Sequence, residues 1–396
     1  MQELLNKESE IILEAHGQSD LGFFRTNNED SYFVDKNKGI FIIADGVGGE
    51  EAGEVASSLA IEEVIKYLDE EWDYLEECRQ GRYKDDTVFR FFADAVRHAC
   101  KVIHQKAGEN PNYAKMASTF TMAVNMGTRV LICHVGDSRA YLVNSSGVHQ
   151  ISEDHTLAKD FVKKGLIKTE KECASHLKSV LTRSVGIQPS VEVDCVMISV
   201  CGGDKIVLCT DGISNYLKNP AELALLLDNK KTSEDTQSLI NFALENNAED
   251  NATAIVIRIL EGNDANDFEF LQEVLITETL LSCQIYDDLS FSQLARMRSH
   301  MEVVFLQKDE VLIQSGEKYN GFYIVMDGGI LSGDELLVRG ESIGLKALIK
   351  THYSNDNKVA VRDTRLIYFS KRKFDSFSKR YPRIVNQILK NIIYMF

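Results

Sequence analysis

Four short apolar runs in this chain each meet an aspartate at one end: I-F-I-I-A before Asp45, V-L-I-C-H-V-G before Asp137, I-V-L-C-T before Asp211, and A-I-V-I-R-I just after Asp250. A run of five or six β-branched and large apolar residues reads as a strand buried on both faces. An acid at its tip then sits on the rim of that core, close to other strand tips. Four carboxylates gathered there repel one another strongly unless a cation neutralises them, so the pattern implies a metal site.

The chain has 396 residues, 44% of them apolar, enough for two domains and a substantial core. No apolar run is long enough to span a membrane, and M-Q-E-L-L-N-K-E-S-E lacks the order of a signal peptide, so the expected location is cytoplasmic and off the membrane. None of the eight cysteines forms a C-x-x-C pair, and Cys133, Cys195 and Cys209 sit inside apolar runs, which argues for buried thiols over disulfides or zinc. The formal net charge of −16 argues against binding to a nucleic-acid backbone. The balance is uneven: from Lys358 to Phe396 ten Lys and Arg face two Asp, a net +8, leaving −24 on the rest. This tail reads as a solvated helix face, or as a docking surface for acidic groups.

Within a first unit, residues 1–262, the spacing of Ala52, Val55, Ala56, Leu59, Val64, Ile65 and Leu68 marks a helix with one apolar stripe. Val88, Phe91, Phe92, Ala95, Ala99, Val102 and Ile103 mark a second. Strands under amphipathic helices give a layered α+β fold. The polar segment from Leu157 to Arg183 reads as a mobile flap. The boundary falls at E-G-N-D-A-N-D. In a second unit, 268–396, one helical stretch from Phe268 to Arg298 precedes short strands punctuated by glycines, the signature of a β-roll or jelly roll, and a helix from about Lys373 to Met395 closes the chain.

Asp45 and Asp211 are followed by glycine and Asp137 is preceded by one; Gly46 could bring its carbonyl oxygen within ligand distance. R-T-N-N-E-D adds Arg25, Glu29 and Asp30. An all-oxygen set without His or Cys selects Mg²⁺ or Mn²⁺. The carboxylates exceed what one octahedral ion needs, and two ions about 3.5–4 Å apart, sharing one aspartate and one water, would use them. Arg25 suits a bidentate grip on a phosphoryl group. A single D-G pair is usually only a turn, but four motifs with one strand-to-acid logic are hard to obtain from turns. In D-G-V-G-G-E-E-A-G the last glycine of a dinucleotide fingerprint is replaced by Glu51, and no G-K-[ST] follows, so nucleotide binding there is not expected.

R-T-N-N-E-D-S, A-D-G-V-G-G, S-T-F-T-M-A-V, H-V-G-D-S-R-A-Y, E-D-H-T, L-T-R-S-V-G, C-T-D-G-I-S-N and E-D-N-A-T-A-I-V resemble, in this order, the motifs of the type 2C metal-dependent protein phosphatases, over residues 14 to 260. The resemblance implies that Asp45 bridges two Mn²⁺ or Mg²⁺ ions and that Gly46 offers its carbonyl. It assigns Glu29 to the second ion, Asp211 and Asp250 to the first, and Asp137 with Asp211 to a weaker third. Arg25 would hold the substrate phosphate and Asp30 support the attacking water. The implied fold is an α-β-β-α sandwich of two antiparallel sheets flanked by helices, and the implied reaction is hydrolysis of phosphoserine and phosphothreonine in proteins modified by a Ser/Thr kinase. Where many eukaryotic members carry a histidine after the D-G pair, this chain has Val47, which leaves the general acid open; His134 and His155 read as structural.

F-L-Q-K-D-E-V-L-I-Q-S-G-E, G-F-Y-I-V-M-D-G-G-I-L, S-I-G-L-K-A-L-I and K-V-A-V-R-D-T-R-L-I-Y-F resemble a cyclic-nucleotide-binding β-roll, over residues 280 to 396. Leu345 and Ser354 stand where that family places the glutamate and arginine of its phosphate cassette, so the domain reads as degenerate: a regulatory module or a homodimer surface. The competing readings are a metal-dependent phosphodiesterase or nuclease, disfavoured by charge, and a pseudo-phosphatase that binds phosphoprotein without cleaving it.

Overall fold

Runs of Ile, Val, Phe and Cys become strands buried on both faces, as their lack of alternation requires. The computed structural model describes residues 11–48, 52–227, 231–261 and 268–395. By its internal contacts the chain divides into Met1–Ala265 and Asn266–Phe396. Past Glu261, the turn-rich stretch at which the sequence suggests a boundary lies outside the described residues.

The first unit holds strands β1 (Ile12–Asp20), β2 (Asp30–Asp35), β3 (Ile40–Val47), β4 (Ala117–Ser118), β5 (Phe120–Asn125), β6 (Arg129–Val135), β7 (Arg139–Asn144), β8 (Gly147–Gln150), β9 (Asp194–Ser199), β10 (Lys205–Cys209) and β11 (Ala252–Glu261). They form two antiparallel sheets, β1-β11-β10-β7-β8 and β2-β3-β5-β6-β9, with β4 paired to β3. Alternate residues of β3 face opposite ways. Ile40, Ile42 and Ala44 join a core with the helices Ala52–Glu70 and Asp85–Glu109, while Phe41 and Ile43, also buried, point to the other side. Val207 and Cys209 of β10 and Ala254 and Val256 of β11 likewise pack under the helix Thr232–Glu245. The result is the expected α+β sandwich of two antiparallel sheets flanked by helices.

The apolar helix stripes lie where their spacing puts them. Ala52, Ala56, Val64 and Leu68 of one helix and Val88, Phe92, Ala95 and Ala99 of the other are buried together. All eight cysteines are free thiols; Cys133 and Cys195 face each other across β6 and β9, with their sulfurs 3.3 Å apart. The polar Leu157–Arg183 segment carries short helices of its own. Thr156 caps a helix Leu157–Lys163, a short helix Ser175–Lys178 follows, and an antiparallel bridge from Thr156 to Leu181 ties the ends together.

The second unit is a β-roll of two four-stranded sheets. β12 (Glu302–Leu306), β13 (Val311–Ile313), β14 (Gly321–Asp327), β15 (Ile330–Ser332), β16 (Glu335–Leu337), β17 (Ser342–Ile343), β18 (Lys358–Ala360) and β19 (Thr364–Ser370) pair in the orders β12-β19-β14-β17 and β13-β18-β15-β16. Its helices depart from the sequence reading in two places. The stretch from Phe268 to Arg298 is two helices, Phe268–Leu281 and Phe291–Arg298, because Ser290 and Gln293 close a capping box that starts a new one. The terminal helix is also two, Lys371–Arg380 and Pro382–Tyr394, because Pro382 has no N–H to give and cannot continue the first. Among the described residues no helix is long and apolar enough to cross a membrane.

Candidate metal and phosphate site

The acids gather because β2 and β3 pair in a register that sets Asp30 opposite Asp45, while β10 and β11 bring Asp211 and Asp250 to one end of the other sheet. The backbone there is tightly tied. Asp45 N–H donates to Thr119 Oγ1 (2.9 Å), Thr119 N–H donates back to Asp45 O (2.8 Å), and Gly46 N–H donates to Glu29 O (3.0 Å). A Cβ at Gly46 would lie 2.0 Å from Gly53 O, and one at Gly53 would lie 2.4 Å from Glu29 Oε1, so both positions must be glycine for this turn to close over Glu29.

Side-chain amides and hydroxyls fix the acids in turn. Asn251 Oδ1 accepts from Glu29 N–H (2.8 Å), and its Nδ2 donates to Leu21 O (2.9 Å) and Asn27 O (3.1 Å), binding the Arg25 loop to the start of β11. Asp30 is buried, and its Oδ2 accepts from Thr253 Oγ1 (2.6 Å) and Thr210 Oγ1 (2.9 Å). Asn215 Nδ2 donates to Asp211 Oδ2 (3.0 Å). Arg25 Nη2 donates to Asp250 Oδ2 (2.7 Å), and Arg25 Nη1 lies 3.8 Å from Glu29 Oε2, with the guanidinium 45% exposed at the mouth of the site.

Crowding shows in the electrostatics. Burial, then the neighbouring Asp30, Asp211, Asp137 and Asp250, push the Asp45 carboxyl well above the usual range. Burial raises Asp30 to about 8 against the two threonine hydroxyls, and burial with Asp211 raises Asp137 to about 8 against the pull of Arg139. Asp211 is raised by burial and by Asp250, and Glu29 by burial despite Arg25. For Arg25, burial is outweighed by Asp250, Glu29 and Asp45, which together hold its guanidinium charged. Asp45 and Asp211 each raise the cost of ionising the cluster, so the carboxyls are held toward their protonated forms.

Behind the rim, Arg139 grips Asp154 through Nη2 (2.6 Å) and Nε (2.9 and 3.0 Å). His134 lies between Thr121 Oγ1 (2.9 Å) and Glu153 O (3.2 Å); burial lowers it to about 3, so it stays neutral and structural. His155 Nδ1 accepts from Gly136 N–H (3.1 Å), and Nε2 lies 3.4 Å from Asp194. Thr119, Thr210, Thr253, Asn251 and the Arg139–Asp154 pair are parts of the site that motif reading did not assign, although each lies inside a quoted motif. Val47 is 48% exposed at the rim.

The donor set suits a hard cation: oxygen ligands only, already crowded enough to retain protons that a divalent ion would displace. Among the described residues, no three His, Cys, Asp or Glu side chains stand spaced around a single point.

Residues 25–248 match the protein phosphatase 2C family model, and residues 303–381 match the cyclic nucleotide-binding domain. The serine/threonine phosphatase stp of Listeria innocua is 30% identical over 261 residues, which is 64% of this chain and all of that protein. The crystal structure of the serine/threonine phosphatase PstP from Mycobacterium tuberculosis has a TM-score of 0.54 at 31% identity, covering 63% of this chain and 99% of that one. A structure of the catalytic domain of PstP in complex with two manganese ions has a TM-score of 0.53 at 28% identity, covering 63% of this chain and all of the other. With a matching family model over more than half its length and its strand-tip acids on one rim, the chain belongs to the protein phosphatase 2C family.

Proposed function

We propose that this chain hydrolyses phosphoserine and phosphothreonine in proteins, using two Mn²⁺ or Mg²⁺ ions. The observation that carries the reading is the meeting, at one rim, of a cationic fork, Arg25, with acids too crowded to be ionised together. Asp45 would be shared by both ions, with the Gly46 carbonyl and Glu29 serving the second, Asp211 and Asp250 the first, and Asp137 with Asp211 a weaker third. Binding would require these crowded carboxyl groups to lose the protons they retain. Such ions would supply charge neutralisation to these acids and a water acidic enough to act as a nucleophile near neutral pH.

The protein's own groups do the rest. Arg25, held charged by Asp250 and Glu29, can turn its exposed fork to two phosphoryl oxygens and stabilise the charge that grows on them. Asp30, oriented by Thr210 and Thr253, accepts a proton from the attacking water. Val47 has no proton to give, so the leaving alkoxide takes one from solvent at the open rim.

The C-terminal domain modulates activity or forms a homodimer and does not bind cyclic nucleotide tightly. Leu345 is buried in its helical core, and Ser354 Oγ contacts Tyr319 Oη (3.1 Å) and donates to Asp356 O (2.7 Å), so neither position offers a charge to a ribose or a phosphate.

Asp45→Asn and Asp211→Asn are expected to lower kcat on a phosphothreonine peptide in Mn²⁺ by about 10³-fold or more. Undiminished turnover by either variant refutes the reading. DNA cleavage without peptide hydrolysis, in the same buffer, would favour a nuclease instead.

A further inference from the structure

The loop before Arg25 carries three apolar side chains that face water: Leu21 is 39% exposed, Phe23 66% and Phe24 68%. Isolated surface hydrophobes need no explanation, but three within four residues on one turn do. This turn is not a loose end. Gly22 adopts φ +75°, its N–H donates to Asp20 Oδ1 (2.8 Å), and Phe23 N–H donates to Ala248 O (3.1 Å). A Cβ at Gly22 would lie 2.5 Å from Asp250 O, and Asn251 Nδ2 holds Leu21 O at 2.9 Å. The backbone that fixes the two rings is therefore the backbone that carries Asp250, to which Arg25 donates.

We infer that Phe23 and Phe24 form an apolar platform that selects phosphoproteins with large apolar residues beside the phosphorylated serine or threonine. This rests on the proposed phosphatase reading, since the occupant is set by continuity with that site. Phe24 directly precedes Arg25, and an extended peptide advances about 3.3–3.6 Å per residue. A peptide whose phosphate lies on the Arg25 fork therefore passes its flanking side chains within one or two residues of the rings. Charge on the peptide does not satisfy this surface; aliphatic or aromatic side chains do.

The test uses the full-length chain in Mn²⁺ and two phosphothreonine peptides of equal length and charge, one with Leu and Val on both sides of the phosphoresidue and one with Gly and Ser. The wild type is expected to favour the apolar peptide by about tenfold in kcat/KM, chiefly through KM. Phe23→Ala with Phe24→Ala is expected to bring that ratio to within about twofold of unity, while Phe23→Tyr with Phe24→Tyr keeps it, because the rings remain. A wild-type ratio near one, or a double alanine variant that retains the preference, overturns the inference and leaves the phosphatase reading standing. If the wild type cleaves neither peptide, both fall. If sedimentation shows that the rings instead hold two copies of the chain together, with the ratio unaffected by their loss, the platform is a self-association surface and the inference is wrong.

Discussion

Removal of divalent ions should give this protein an unusual dependence of stability on pH, and Asp30 sets its scale. Its carboxyl is buried and raised from 3.8 to about 8, first by desolvation. Between these values the unfolded chain has released this proton and the folded chain keeps it, so raising the pH favours unfolding. The contribution is complete below about pH 4 and is lost as pH rises through about 8. The rise from 3.8 to about 8, at about 1.36 kcal/mol per pH unit, sets a ceiling of about 6 kcal/mol, which water entry and relaxation around the rim reduce to a few kcal/mol. Asp137, also raised to about 8, acts in the same direction. Urea unfolding followed by the fluorescence of Trp72, the one tryptophan of the sequence, should show a fall in unfolding free energy from pH 5 to 8 in EDTA. Saturating Mn²⁺ should remove the fall, since bound cations favour the ionised carboxylates. Asp30→Asn should make the EDTA profile less steep without levelling it, since a carboxamide does not titrate while Asp137 still does. A metal-free profile that is level or rises over this range, with Mn²⁺ making no difference, would refute the account of the cluster.

Loss of Arg139 is a separate test of the layer behind the rim. Arg139→Met leaves Asp154, 9% exposed, without its cation, and should cost about 3–5 kcal/mol in urea unfolding; a loss below about 1 kcal/mol would show that the pair is dispensable. Arg25→Ala should change stability by less than about 1 kcal/mol, because its ion pairs are exposed, yet lower kcat/KM on phosphopeptide by about 10²–10³-fold. In calorimetry, cAMP and cGMP should give no saturable heat at concentrations up to about 100 μM, as expected when charge-assisted bonds of about 1.5–3 kcal/mol each are missing; micromolar binding would mean that other groups replace Leu345 and Ser354.

What the sequence reveals of the site and what it hides differ in range. An acid at the end of an apolar run is a local pattern, so Asp45, Asp137, Asp211 and Asp250 stand out as candidates from their neighbours alone. The supports for those acids are not local. Thr210 and Thr253 reach Asp30 across 180 and 223 residues of sequence, and Asn251 reaches Glu29 across 222. Only the pairing of sheets brings them there, and a threonine in a strand is more often simply a good strand former. The two helix breaks differ in kind, because their signals are local: Pro382, and Ser290 with Gln293 three residues later, are both visible in the sequence. Apolar periodicity on either side masked them. The helix Leu157–Lys163 is hidden for the opposite reason: Thr156 caps it and ion pairs such as Lys163 Nζ to Glu153 Oε2 (3.1 Å) tie it down, so it carries little hydrophobic periodicity.

Titration of Mn²⁺ into the metal-free chain by calorimetry tests the central claim most directly. The expected result is about two ions bound per chain, with proton release as the retained carboxyl protons leave, and a loss of both in Asp45→Asn. No uptake of Mn²⁺ by the wild type, or uptake unchanged in that variant, would contradict it.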